Sequence, residues 1–411
     1  MSRPAPPCGT GRRSSIGTWW NADIVRRMTA APISGPRATR RFAYIDALRG
    51  FAALWVFGLH VHQHWLDDVR PPILSADGIL VRLIGFGGAG VDLFIVLSGF
   101  CLTLPLTRAG TAALSSINVR GFFRRRAFRL LPAYYAALAA VIALELIPAI
   151  RPALVARDLT GLDVITHLTL TFPLSEATIG AVNGSLWSIP LEATLYLGFP
   201  LLLWLAARRG ISAVVLATLG IAAVWGLVTV SAIWPLPGGW LPAADKYLPP
   251  RWLGFAMGMY AATAVRGIPH PRAATHAVWA CGLGLPAGLY GYAQGPDIVR
   301  TLGFGALGAG LLVLLQRVPE RWFGRGPLAW LVGLGTISYS FYLLHQPIIL
   351  LLNGWGHSLG LGPIPLFFVA LATSGTLTFA VATALYRGVE RPFLVRGSMS
   401  AVVIEGDRRA G

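Results

Sequence analysis

The chain has 411 residues, of which 55% are hydrophobic and 12% charged, and its mean hydropathy is +0.62, whereas a soluble domain carries roughly 25% charged residues. This composition excludes a water-soluble globular fold, because such a fold has no way to hide so much apolar surface. The net charge of +17 does not point to nucleic acid, since the 34 basic residues sit in clusters between apolar runs and form no single face.

Residues 1–43 read as a disordered cytoplasmic N-terminus with Met28 as an alternative start, and no cleavable signal precedes the first long apolar run at Tyr44. Apolar runs bounded by turn and charge signals then predict about ten transmembrane helices, at 44–64, 84–106, 133–150, 186–206, 212–234, 251–266, 275–292, 298–316, 328–352 and 364–386. The expected fold class is an all-α integral membrane protein, with a transmembrane domain over 44–393 and a cytoplasmic tail over 394–411. With the N-terminus inside, the inner segments hold 26 basic residues and the outer loops seven, Arg49 within the first helix being the last of the 34. That asymmetry places both termini in the cytoplasm. The longest outer segment, 151–185, carries Asp158, Asp163, His167 and Glu176 and is expected to cover a site. Cys8, Cys101 and Cys281 show neither metal nor disulfide spacing.

A charge inside the hydrocarbon costs at least about 2.5–3.5 kcal/mol at mid-helix, so each one marks a candidate site. Along the first helix Arg49 and His60 are eleven residues apart, which returns to nearly the same face roughly 16 Å further along. A fixed cation suits an anionic donor, and an imidazole takes a proton from a hydroxyl. The plain alternative is that Arg49 snorkels or pairs with Asp46 while His60 bonds a neighbouring helix. In HVHQH only His60 and His64 share a face and nothing nearby completes a tetrahedral set, which argues against zinc. The cluster Arg120, Arg124, Arg125, Arg126 and Arg129 reads either as a stop-transfer signal or as a holder of donor phosphates. Later apolar segments place further polar groups in the membrane: Asp92 and Ser98 in GAGVDLFIVLSGF, Ser185, Trp187 and Glu192 in NGSLWSIPLEATLY, Tyr339, Tyr342 and His345 in GTISYSFYLLHQP, and Glu390 in YRGVERP. A buried carboxylate such as Glu192 must pair with a cation, orient an imidazole or be held neutral, whereas the hydroxyls fit a helix-packing network equally well.

Together these segments resemble the acyltransferase 3 family of membrane enzymes that O-acylate carbohydrates and other hydroxyl acceptors. The resemblance rests on Arg49-x10-His60, on GVDLFIVLSGF, on Arg126-x-x-Arg129 with Pro132 and Tyr134, on LWSIPLEATLY, and on SYSFYLLHQP with ERPF. It implies an acyl-coenzyme A donor, most simply acetyl-CoA, with Arg126 and Arg129 near its phosphates, His60 activating the acceptor hydroxyl and Arg49 needed beneath it. That Glu192 orients the His60 imidazole is our own inference, by analogy with hydrolytic triads. Asp92, Ser98, Trp187, Tyr339, His345 and Glu390 are expected to support substrate or structure. No metal and no nucleic-acid partner are expected. Some family members carry an appended SGNH-type domain that is not expected here, which counts against the cell-wall and lipopolysaccharide acceptors that rely on it and leaves exopolysaccharide, glycolipid and small-molecule acceptors open. By the same resemblance the enzyme belongs in the cell inner (plasma) membrane. The competing class is a multi-pass transporter, in which Arg49, His60 and Glu192 would line a substrate or proton path; it would show broken helices in matching halves, and no internal repeat is visible.

Overall fold

The computed structural model describes residues 42–66, 76–109, 117–154, 157–229, 249–265 and 271–396. The expected disordered N-terminus up to Arg41, Met28, and the tail beyond Arg396 lie outside the described residues. Every regular element among those described is helical. The principal helices are α1 (Ala43–Trp65), α2 (Ala89–Ala109), α3 (Val119–Glu145), α4 (Ser188–Arg209), α5 (Ile211–Thr229), α6 (Pro249–Ala264), α7 (Pro271–Ala293), α8 (Asp297–Leu315), α9 (Gly326–Thr336), α10 (Ser338–Ser358) and α11 (Pro363–Leu385).

Each of the ten expected segments carries a helix, but among the described residues six spans are long and apolar enough to cross a bilayer, or seven if α9 and α10 are one broken span bent by 85°. The remaining three segments are α1, α6 and α7. Asp46, Arg49 and three histidines dilute the apolar character of α1, and α6 has 16 residues. One expected boundary is corrected. The third helix begins at Val119, not near residue 133, because Asn118 caps it by accepting from the Gly121 amide at 3.0 Å. Arginine is a good helix former, so the basic cluster lies on the helix itself.

α1 organises the bundle. Its lower half (Tyr44, Leu48, Ala52) packs into one buried cluster with Val96, Phe100, Leu312 and Phe323. Its upper half (Val56, Phe57, Val61) enters a second with Tyr134, Phe199, Phe255, Phe341 and Ile348. Between helices in lipid the driving force is close van der Waals contact, so small residues matter where backbones meet. At Gly50 and Gly335 the backbones of α1 and α9 approach so closely that an added Cβ would overlap the Leu331 and Asp46 carbonyl groups respectively. That contact fixes the height of Arg49, the neighbour of Gly50.

Candidate active site

The arginine face of α3 borders the candidate site. Arg126 and Arg129, three residues apart, project from one side of the helix. The Arg126 guanidinium lies 5.9 Å from the Phe122 ring centroid and 5.6 Å from that of Tyr196, a cation–π arrangement, and its Nε is buried without a hydrogen-bond partner. Arg129 reaches further inward. It lines a cavity together with Arg49 from α1, Ser98 from α2, Glu192 from α4, and Tyr339 and Tyr342 from α10.

Two carboxylates balance the two guanidinium groups there. Glu192 accepts a hydrogen bond from the Tyr196 hydroxyl one helical turn away. Glu390 is brought inward by a π-helical turn at Tyr386–Glu390 that follows α11; such turns re-aim side chains and recur at functional sites. It is buried and accepts from the Ser340 hydroxyl at 2.6 Å. Arg129 lies in the field of both carboxylates, and Glu390 in that of Arg129 and Arg49. Opposite charges held in one low-dielectric pocket offset much of the cost of burying each. Tyr339 ties the arrangement to α3 by donating to the Leu130 carbonyl at 2.8 Å.

Tyr342 marks the far end of the cavity. Its hydroxyl donates to the Ser185 carbonyl at 2.6 Å and accepts from Ser188 at 2.8 Å. One turn further along α10, His345 donates from Nδ1 to the Tyr342 carbonyl at 2.6 Å and its ring centroid lies 5.0 Å from that of His60. His60 and His64 stack at 6.2 Å with a 15° interplanar angle, as their shared helical face requires. The Gln346 amide meets His64 Nε2 at 3.0 Å. Pro347 follows directly. Because proline has no N–H, it leaves the Leu343 carbonyl without its helical donor, and the side chain of Asn183 donates to that oxygen at 3.2 Å. The turn that leads into α4 (Gly184–Trp187) is thereby pinned against α10 beside the histidines.

The segment above this end is folded on its own terms. Thr160 and Asp163 form a capping box, and Arg157 makes paired hydrogen bonds of 2.8 and 2.7 Å to the Asp163 carboxylate, which hold that carboxyl well below its ordinary range. His167 lies flat on Phe172, 4.0 Å between centroids, and burial lowers its pKa. Tyr134 and Tyr135 of α3 anchor the segment through the His167 and Leu168 carbonyls, both at 2.8 Å.

The expected site residues therefore fall into three groups. Arg49, Arg129, Glu192, Ser98 and Tyr339 share the cavity, with Arg126 stacked at Tyr196 and Glu390 in the charge network. His60 and His345 form a pair at the other end. Asp92 stands apart: it forms a buried ion pair with Arg251 at the start of α6. Trp187 packs against the core. The hydrogen-bond partner of Glu192 is Tyr196, and His60 has His345 and His64 as its ring neighbours, so the expected Glu192–His60 contact does not form. Sequence reading passed over Tyr196, Arg251 and Gln346. The i,i+4 spacing of Glu192 and Tyr196 was the one available signal. Among the described residues no group of three His, Cys, Asp or Glu side chains is disposed to hold a metal ion.

The model of a family described as an acyltransferase domain matches residues 42–387. The chain is 29% identical over 329 residues to the exopolysaccharide production protein ExoZ of Rhizobium meliloti, covering 76% of this chain and 90% of that protein. It is 28% identical over 341 residues to the acyltransferase MdmB of Streptomyces mycarofaciens, covering 79% and 82%. No solved structure matches.

Proposed function

We propose, from the premise that the chain belongs to the acyltransferase 3 family and is a multi-pass membrane O-acyltransferase, that it moves an acetyl or other short acyl group from acyl-coenzyme A to a hydroxyl of a carbohydrate or glycosylated small molecule. The observation that carries this reading is the gathering of Arg49, Arg129 and Glu192 from three helices into one cavity whose far end adjoins the His60–His345 pair. The unpartnered Nε of Arg126 fits an anionic oxygen, which supports Arg126 and Arg129 as holders of donor phosphates. Acyl-coenzyme A supplies the activated acyl group. His60 takes the hydroxyl proton of the acceptor as general base, and Arg49 stabilises charge at the donor end. The relative named for exopolysaccharide production favours a sugar acceptor. Both termini in the cytoplasm and the inner membrane as the location belong to the same reading. A transporter would share the 85° break between α9 and α10, yet among the described helices it is the one such pair, whereas inverted-repeat carriers break helices in matching halves.

Release of free coenzyme A from acetyl-CoA by the purified protein in lipid nanodiscs, with and without sugar acceptors, tests the assignment. Acceptor-dependent release that falls about 10²–10⁴-fold in His60→Ala is expected, with a comparable loss in Arg49→Ala and intact folding. Full turnover in both variants would remove this pair from the chemistry.

A further inference from the structure

Three buried polar atoms without hydrogen-bond partners belong to residues that meet where α10 packs on the end of α1: His60 Nδ1, His345 Nε2 and Gln346 Oε1. His345 is 1% and Gln346 8% exposed. Orphaned buried polar atoms are rare because each forfeits its hydration, and three at one locus point to a ligand. Their chemical character follows from the partners their residues already have. The Tyr342 carbonyl can only accept, so His345 carries its proton on Nδ1 and its Nε2 is a bare lone pair. The Gln346 amide nitrogen donates to His64 Nε2, which turns Oε1 away as a second bare acceptor. Both lie beside His60, one through the 5.0 Å ring contact and the other through His64 on the same face of α1.

Two neutral acceptors next to a base repel an anionic ligand and stay unsatisfied against a hydrocarbon; they are satisfied by hydroxyl groups. We propose that His345 and Gln346 are the acceptor subsite, taking O–H hydrogens from a neutral polyol and so holding a neighbouring hydroxyl of the same molecule against His60. This rests on the acyltransferase reading and narrows it to acceptors with at least three neighbouring free hydroxyls. In the transfer, the held hydroxyl gives its proton to His60, its oxygen bonds to the acyl carbon, the carbon–sulfur bond breaks, and the departing thiolate takes the proton to become free coenzyme A.

The test uses the full chain in nanodiscs with acetyl-CoA, a set of methyl hexopyranosides, their monodeoxy analogues, and cyclohexanol as a lone hydroxyl. The variants are His345→Leu and Gln346→Met, with His345→Gln and Gln346→Asn retaining an acceptor atom and covering any folding failure. The expected result is a rise of roughly 10-fold or more in the glycoside KM in the first two, partial recovery in the second two, and an unchanged KM for acetyl-CoA. One monodeoxy analogue should lose as much with the wild type and nothing further with Gln346→Met. Unmoved glycoside KM values, or cyclohexanol used as well as a glycoside, would overturn the subsite while leaving the acyltransferase standing. If no acceptor elicits coenzyme A release, the acyltransferase reading itself fails and the subsite falls with it.

Discussion

Asp92 and Arg251 show how a single residue pair in this protein earns its place. Both are buried, 4% exposed each, and 159 positions separate them in sequence. Removing one charge strands the other in a low-dielectric interior, which typically costs about 3–5 kcal/mol, whereas replacing both by apolar groups of similar volume is often far milder. Arg251→Leu should therefore lower stability in detergent by about that amount, and Asp92→Leu combined with Arg251→Leu by distinctly less; thermal unfolding of the three proteins measures it. Equal losses in single and double variants would mean the pair contributes packing alone. The charge of Asp92 was legible from its place in an apolar run. Its partner was not, because a basic residue at the edge of such a run reads equally well as a loop charge.

At the scale of elements, the segment 157–174 carries two groups that make its stability depend on pH. Asp163, held low by Arg157, and His167, held low by burial, both have folded-state pKa values depressed below their ordinary ones. Such groups contribute stability that is complete above the unfolded value and is lost as pH falls. For His167 that loss begins near pH 6.5, and for Asp163 near pH 4. Amide exchange in residues 160–174 should therefore quicken first between about pH 6.5 and 5, while exchange in α10 stays slow, and His167→Gln should flatten that first step. A parallel rise in α10 would show that the segment does not open by itself. Helix positions were largely readable because apolar runs of bilayer length have few alternatives. The start of α3 was misplaced since arginines were counted as topology signals and not as helix formers, and the short helices of the segment 157–187 lie below the length at which periodicity speaks.

For the whole molecule, the arginine-lined cavity and the histidine pair occupy opposite stretches of α1, separated by the roughly 16 Å between Arg49 and His60. A donor held at the arginine end and an acceptor held beneath the segment 157–187 would approach the reaction from opposite faces. In sealed proteoliposomes of determined orientation, product should form only when acyl-CoA is supplied on the arginine-rich side and the sugar on the other. Product from both substrates supplied together on one face would mean that a single entrance serves both. The division of the site into two ends was partly legible, since Arg49-x10-His60 states the distance. The identity of the second end was not: His64 and Gln346 meet across 282 residues, a contact that no local pattern announces.

Pro347 has a consequence for anyone seeking to harden this protein. Replacing a mid-helix proline by alanine is a standard remedy, because it restores a missing backbone bond. Here the vacant Leu343 oxygen is the socket into which Asn183 plugs, so the repaired helix would compete with the loop for the same acceptor. A gain in rigidity along α10 would be drawn from the attachment of the neighbouring turn, and with it from the roof over the histidines.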